Sequence, residues 1–275
     1  MHLHTHIQGH GFPILCLHGH PGSWQSMGIF ISDLSTRFLT LTPDLRGYGK
    51  SQASQPFEMD AHLEDLEQLL NRHSIDQCLV LGWSLGGILA MELALRYPDR
   101  VKGLILIATA AAPRGNHPPI TWLDNLNTGL ASLFNWFIPG NSWIIESLGK
   151  KSLYRHLLRQ HTSYAYRQLA SAALPAYLRT SRHAREALNR AIRSGYNKLS
   201  AIKSLNQPCL LLCGQADCHI IPQASIETAR TLPNCEVTCY PDVAHLFPWE
   251  IPDRVLRDLN QWLNRNFSTL AKLST

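Results

Sequence analysis

The chain has 275 residues, of which 45% are hydrophobic and 16% charged, and its formal net charge is +5. A chain of this size can bury a large core, as one domain or as one domain with an insertion. No window holds the eighteen or more apolar residues of a membrane helix, and the start lacks the basic and apolar regions of a signal peptide. Seven cysteines, an odd number, favour a reducing compartment. We therefore expect a cytoplasmic protein without a membrane segment.

The first part of the sequence alternates short apolar runs with segments of helical spacing. Leu63, Leu66, Leu69 and Leu70, for example, share one face of a helix. The patterns predict strands at HLHTHI, PILCLHG, FLTLTPDL, QCLVLGWS and VKGLILIATAA. They predict helices at WQSMGIFISDLSTR, MDAHLEDLEQLLNRH and LGGILAMELALRYPDR.

The alternation stops in the middle of the chain and resumes near its end. Residues 114–203 contain no convincing strand, whereas ITWLDNLNTGLASLFNWFI has apolar residues at helical spacing. After this stretch come a strand, a helix, a strand and a helix at PCLLLCGQAD, PQASIETARTL, CEVTCY and PDRVLRDLNQWLNRNF. Continuously apolar strands that alternate with helices indicate a mostly parallel sheet covered on both faces. We predict a doubly wound α/β core of residues 1–113 and 204–275, with a helical cap inserted at 114–203.

The stretch LVLGWSLGG places one serine between a predicted strand and a predicted helix. A serine hydroxyl is a weak nucleophile, which needs a neighbouring base and exposure to substrate. A sharp strand-to-helix turn provides that exposure, but it needs very small residues on either side, here Gly82 and Gly86. This G-x-S-x-G motif in its strand–helix context predicts that Ser84 is a nucleophile.

With this motif the chain resembles the α/β-hydrolase superfamily over nearly its whole length, which implies the α/β-hydrolase fold. The resemblance implies a histidine base on a loop after the last strand, and His245 is the histidine in that position. It also implies an acid earlier in the chain, which orients the base and stabilises its charged form. Asp217, at the end of a predicted strand, fits the order Ser…Asp…His. Asp242 is the competing acid, although it lies only three residues before the base.

Two backbone N–H groups are expected to bind the oxygen that becomes negative in the transition state. One belongs to Leu85, the residue after the nucleophile. Relatives with an HGxPG loop take the other from the x position, which in HGHPG is His20. We expect His18 to brace this loop through its side chain rather than to take part in catalysis.

Two further resemblances concern the reaction. The segments HGHPGSW and DLRGYGKS resemble those of soluble epoxide hydrolases and haloalkane dehalogenases, but these families have an aspartate where this chain has Ser84. The elbow GWSLGG is similar to that of pimeloyl-acyl-carrier-protein methyl ester esterases. A serine at this position favours attack on an acyl carbon. We therefore predict a serine hydrolase that cleaves a carboxylic ester or thioester, without a metal or an organic cofactor.

The predicted cap is unevenly charged. Residues 150–203 contain twelve lysines and arginines and a single acid, Glu186, a net charge of +11. The simplest interpretation is a solvated basic surface, and the alternative is an anionic or carrier-tethered ester or thioester substrate. No nucleic-acid-binding motif accompanies the charge, so we expect no such partner. The sequence leaves open a monomer or a homodimer.

The first half of the cap is aromatic instead. Most of its aromatic residues are expected to pack inside the cap, and some to cover an apolar acyl pocket. They are Trp122, Phe134, Trp136, Phe137 and Trp143. Trp24 and Trp83, which flank the oxyanion loop and the nucleophile, are expected to add to the wall of that pocket.

Other enzymes and a receptor share this fold. A proline iminopeptidase needs acidic residues in its cap, and the strongly basic cap predicted here argues against it. A carbon–carbon bond hydrolase, or another acyl-transfer enzyme of the same fold, is harder to separate from an esterase by sequence. A ligand receptor that keeps the triad is a non-enzymatic alternative, and turnover distinguishes it from an enzyme.

Overall fold

The computed structural model describes residues 1–272, and its centre is a seven-stranded sheet. The spatial order is β1-β3-β2-β4-β5-β6-β7. All neighbouring strands are parallel except β1, which pairs antiparallel with β3. The strands are β1 (Thr5–Gln8), β2 (Pro13–Leu17), β3 (Leu39–Pro43), β4 (Cys78–Trp83), β5 (Val101–Ile107), β6 (Cys209–Gly214) and β7 (Cys235–Tyr240). The mostly parallel α/β sheet predicted from the sequence is confirmed.

Twelve α-helices are present in the described part of the chain. They are α1 (Gly28–Leu34), α2 (Asp60–Arg72), α3 (Leu85–Arg96), α4 (Trp122–Phe137), α5 (Ser142–Ser147), α6 (Tyr154–Leu157), α7 (Ser163–Gln168), α8 (Leu174–Arg179), α9 (Arg182–Arg193), α10 (Pro222–Thr231), α11 (Phe247–Glu250) and α12 (Pro252–Lys272). No helix among residues 1–272 combines the length and the apolar character needed to cross a membrane.

The sheet is buried between two apolar layers because successive side chains of each strand point to opposite faces. In β4, Val80 belongs to the cluster that contains Leu66 of α2 and Leu89 of α3. Its neighbour Leu81 belongs to the cluster that contains Phe30 of α1 and Leu259 of α12. Helices therefore cover both faces, and the carboxyl ends of the parallel strands lie along one edge of the sheet.

The chain between β5 and β6 holds the six helices α4–α9 and, within the described residues, no strand. The helical cap predicted from the sequence lies in this part of the chain. Its boundaries at residues 114 and 203, and its behaviour as a separate unit, stay predictions.

Helix α4 faces the opposite way from the one its pattern suggested. Its buried side chains are Asp124, Ala131 and Asn135, whereas Trp122 and Phe137 are 74% and 72% exposed. The polar side chains are satisfied inside the cap, since Asn135 donates to the Tyr166 carbonyl and accepts from the Gly140 N–H. The prediction that most of the aromatic residues pack inside the cap is wrong, because all five are exposed: Trp122, Phe134, Trp136, Phe137 and Trp143.

Candidate active site

Ser84 lies on a sharp turn between β4 and α3, with φ 53° and ψ −114°. A side chain adopts this positive φ only at a cost, so the surrounding structure must hold it in place. The turn is compact: a Cβ atom on Gly82 would overlap the Gly86 carbonyl, and one on Gly86 would overlap the Leu17 carbonyl. The glycines of the motif therefore allow the turn that presents the Ser84 hydroxyl above the end of the sheet.

His245 lies opposite this hydroxyl. It belongs to residues 241–246, between β7 and α11, which we call the base loop. Its Nε2 atom is 3.1 Å from Ser84 Oγ, although 161 positions separate the two residues in the sequence. Only 7% of His245 is exposed. The ring is thus placed to accept the proton of the hydroxyl.

Asp217 lies on the other side of the same ring. Its Oδ2 atom is 2.7 Å from His245 Nδ1, and its Oδ1 atom accepts the backbone N–H groups of His219 and Ile220 at 2.8 and 3.0 Å. Burial favours the neutral acid, but His245 and the two N–H donors outweigh it and hold the pKa of Asp217 below its usual range. A charged Asp217 fixes the tautomer with the proton on Nδ1, which leaves Nε2 free for Ser84.

The competing acid is directed elsewhere. Asp242 is exposed and has a positive φ of 53°. Its carboxylate makes no hydrogen bond to any residue in the described part of the chain, and its backbone carbonyl accepts the Gln160 side chain at 3.2 Å. Of the two candidate acids, the structure brings Asp217 to the histidine.

The loop after β2 lies against Ser84. A Cβ atom on Gly19 would be 3.2 Å from the Cβ atom of Ser84. The backbone N–H groups of His20 and Leu85 have no acceptor among residues 1–272. Two unused donors on the two segments next to Ser84 fit the predicted oxyanion site, and the role itself stays a prediction.

His18 holds this loop in shape. Its buried ring accepts the Leu45 N–H through Nε2 at 3.0 Å and donates from Nδ1 to the Gly19 carbonyl at 2.8 Å. Burial lowers the pKa of His18, and its Nε2 atom acts as an acceptor, as it does in a neutral ring. The ring of His20 is 2.8 Å from the Tyr48 hydroxyl, and burial, followed by the charge of Arg185, lowers the pKa of His20 to about 4.

The two tryptophans predicted for the pocket lie in different surroundings. Trp83 is 3% exposed, and its ring packs edge to face against Phe30 and Trp249. Trp24 is half-buried and stacks on His6 with 4.1 Å between ring centroids. Trp83 is therefore part of the core next to Ser84, and Trp24 lies towards β1. Their contact with a substrate stays a prediction.

Glu250, which the sequence analysis did not single out, ties the base loop to the cap. Its carboxylate accepts the N–H of Ala244, the residue before His245, at 2.8 Å. It also accepts the backbone N–H groups of Arg159 and Gln160, which follow α6. The side chain is buried, and this burial raises the pKa of Glu250. No motif marked this residue, because its role depends on contacts about ninety positions apart.

Comparison with known proteins agrees with this architecture. The sequence profile described as the alpha/beta hydrolase fold matches residues 13–252. The chain belongs to the α/β hydrolase fold family. This confirms the predicted fold and, at the level of the family, the prediction of a hydrolase.

The similar proteins come from the groups whose motifs the sequence resembles. A pimeloyl-[acyl-carrier protein] methyl ester esterase of Nitrosospira multiformis is 25% identical, over 94% of this chain and 96% of its own. Epoxide hydrolase 4 of Homo sapiens is 26% identical, over 88% of this chain and 69% of its own. Among solved structures, a thermophilic esterase from Thermogutta terrifontis is 27% identical with a TM-score of 0.69, over 96% and 93% of the two chains.

Proposed function

We propose that this protein is a serine hydrolase that cleaves a carboxylic ester or thioester through an acyl-enzyme. The observation that carries the proposal is the continuous chain of hydrogen bonds from Ser84 through His245 to Asp217, with distances of 3.1 and 2.7 Å. A hydroxyl, a base and an orienting acid at hydrogen-bond distance are what nucleophilic catalysis by serine needs.

The proposed reaction has two halves. In the first, Ser84 Oγ attacks the acyl carbon while His245 Nε2 takes its proton, and Asp217 stabilises the charged imidazole. The negative charge on the carbonyl oxygen is stabilised by the N–H groups of His20 and Leu85. The alcohol or thiol leaves with the proton from His245. In the second half, water deprotonated by His245 releases the acid and restores Ser84.

We further propose that the substrate carries a negative charge or is tethered to an acidic carrier. Arg185 of α9 is exposed, and burial, followed by the charge of Arg185, lowers the pKa of His20. The start of α9 lies against the segment that contacts His20, because the Ser181 N–H donates to the Gly47 carbonyl at 2.8 Å and the Tyr48 hydroxyl is 2.8 Å from the His20 ring. A cation on the helix beside this segment is suited to an anionic group on the substrate. The Nitrosospira multiformis relative, whose name specifies a carrier-protein substrate, fits the same class.

The wider cap surface supports this specificity. Five of the twelve basic residues between 150 and 203 form ion pairs with acids. A further five exposed arginines have no acidic partner within 4.0 Å among the described residues: Arg159, Arg167, Arg179, Arg185 and Arg193. Positively charged side chains without acidic partners attract an anionic partner at long range.

The experiment that tests the function is a panel of esters and thioesters with neutral and anionic acyl groups. We expect multiple turnovers and an acyl group on the peptide that contains Ser84, detected by mass spectrometry after rapid quenching. Cleavage of a carbon–carbon bond in preference to all esters would contradict the proposed substrate class. A single acylation without turnover would favour the receptor alternative.

A further inference from the structure

Three side chains with metal-binding atoms meet beside the proposed catalytic residues. Cys218 and His219 belong to residues 215–221, between β6 and α10, which we call the acid loop. His117 belongs to residues 113–121, the lead segment, which forms neither helix nor strand and precedes α4. The ligand atoms of the three side chains all lie within 4.8 Å of one another.

The spacing is close to that of a coordinated ion. Cys218 Sγ and His117 Nδ1 are 4.0 Å apart, and the rings of His117 and His219 have centroids 4.3 Å apart. In a tetrahedral zinc site the metal–sulfur bond is roughly 2.3 Å and the metal–nitrogen bond roughly 2.05 Å. A sulfur and a nitrogen bound to the same ion are therefore about 3.6 Å apart. His117 is exposed, so a small rotation of its side chain closes the difference.

The ligand atoms are also uncommitted. His219 Nε2 is buried and makes no hydrogen bond in the described part of the chain. The Cys218 thiol contacts only a backbone carbonyl, that of His156 at 3.3 Å, apart from its long approach to His117.

We propose that His117, Cys218 and His219 bind a divalent first-row transition metal ion of the Zn²⁺ type. Two imidazoles and one thiolate suit zinc and its neighbours in the series, and they do not suit Mg²⁺ or Ca²⁺. On binding, the sulfur–metal bond forms and the thiol proton is released to solvent. Three protein ligands leave a fourth position for water or a small anion.

The ion would add a side-chain link between two segments whose backbones already touch. Their backbones meet through hydrogen bonds from Asn116 N–H to the Cys218 carbonyl and from Ile221 N–H to the Arg114 carbonyl, at 2.8 and 2.9 Å. A metal bond between side chains would fasten the start of the cap to the loop that carries Asp217. Metal occupancy would therefore control the mobility of the lead segment next to the active site. This inference does not depend on the proposed reaction.

The direct test is titration of the purified full-length protein with Co²⁺, which reports a thiolate ligand through its charge-transfer absorption. We expect a one-to-one complex with this band in the wild type, competed away by Zn²⁺. Cys218→Ser should abolish the band. His117→Ala should weaken binding by more than about 100-fold, since even groups outside the ligand shell contribute 10–100-fold. His117 is exposed, so this variant tests the site without disturbing the core.

Two controls separate this site from other binding. Cys239→Ser removes another partly buried thiol, and it should leave the band unchanged. Replacement of His2, His4 and His6 by glutamine removes the histidine-rich start, which should also leave it unchanged. The proposal is overturned if the band persists in Cys218→Ser, or if it depends on Cys239 or on the N-terminal histidines.

Proteolysis tests the fastening of the lead segment without any activity assay. Arg114 is exposed in this segment, so trypsin should cut after it. We expect Zn²⁺ to slow this cut at least fivefold in the wild type and to have no effect in His117→Ala. Cleavage after Arg193, an exposed residue at the end of α9, is the internal reference. Equal protection of both sites, or none at Arg114, would contradict the proposed link.

Discussion

At the scale of single residues, the site depends on an unfavourable backbone conformation at Ser84. Its φ of 53° and ψ of −114° are open to glycine at little cost, whereas any side chain there is strained. The turn could be predicted from the sequence because the two glycines that permit it, Gly82 and Gly86, each lie two positions from Ser84 in the chain.

Ser84→Gly should therefore raise the free energy of unfolding by about 1 kcal/mol. The variant relieves the backbone strain, and the greater conformational entropy of glycine in the unfolded chain offsets part of this gain. Ser84→Ala keeps the strained conformation and should unfold close to the wild type, so it is the matched control. Urea unfolding measures both. A glycine variant no more stable than the alanine variant would show that the turn is not strained.

Asp217 is expected to make the stability of the protein depend on pH. Its native pKa lies below the value of about 3.9 in unfolded chains. A lowered native pKa means that the carboxylate contributes stability that is fully present above pH 4 and is lost as the pH falls through the native pKa. Asp217→Asn should be less stable than the wild type at pH 7, and this difference should shrink below pH 4.

The same substitution should lower kcat by about 10⁴-fold, because an amide no longer fixes the tautomer of His245. Asp242→Asn, whose carboxylate is exposed and unbonded, is the control and should change kcat less than twofold. Kinetics with any ester that the wild type turns over measures both. A larger loss in the Asp242 variant would assign the acid to that residue.

At the scale of elements, Glu250 links the base loop to the cap. In Glu250→Gln, an amide NH₂ takes the place of a carboxylate oxygen and faces the N–H donors of Arg159 or Ala244. We expect a loss of about 1–3 kcal/mol in stability, the cost of a buried unsatisfied group, together with a lower kcat. Glu236→Gln, which breaks an exposed pair with Arg265, should change the stability by less than about 1 kcal/mol and leave kcat unchanged.

Helix α4 offers a second test among the elements. Asn135→Ala removes the hydrogen bond to the buried Tyr166 carbonyl and leaves the Gly140 N–H without its acceptor, so it should cost about 1–3 kcal/mol. Phe137→Ser, two positions along the same helix, removes a side chain that is 72% exposed and should cost less than about 0.5 kcal/mol. The reverse order of the two losses, measured by chemical unfolding, would mean that the apolar face is the buried one.

The elements also show what the sequence can and cannot predict. The short apolar runs of the strands and the helical spacing of apolar residues predicted the sheet correctly, because each pattern depends only on residues close together in the chain. The orientation of α4 was predicted wrongly because amphipathic spacing identifies two faces without saying which one is covered. Glu250 and the cluster of His117 with Cys218 were missed because their partners are distant in sequence, 101 positions apart for the latter pair.

At the scale of the whole molecule, the uneven charge of the cap bears on substrate capture. Arg185→Gln should raise KM for an anionic ester about tenfold and leave KM for a neutral ester of the same length nearly unchanged. The anionic substrate should also lose affinity with rising ionic strength, since exposed charges are screened within about 10 Å at 0.1 M salt. Equal changes in KM for both esters, or a KM that does not depend on salt, would show that the charge of the cap does not contribute to substrate specificity.

The central claim is that one hydroxyl, activated by an imidazole 161 positions away, is the nucleophile. The rate of covalent labelling by a neutral organophosphonate, with the modified peptide mapped by mass spectrometry, tests it most directly. We predict one label per chain on Ser84, none in Ser84→Ala, and labelling slowed at least 10³-fold in His245→Ala. A label on another residue, or an undiminished rate in either variant, would contradict the account.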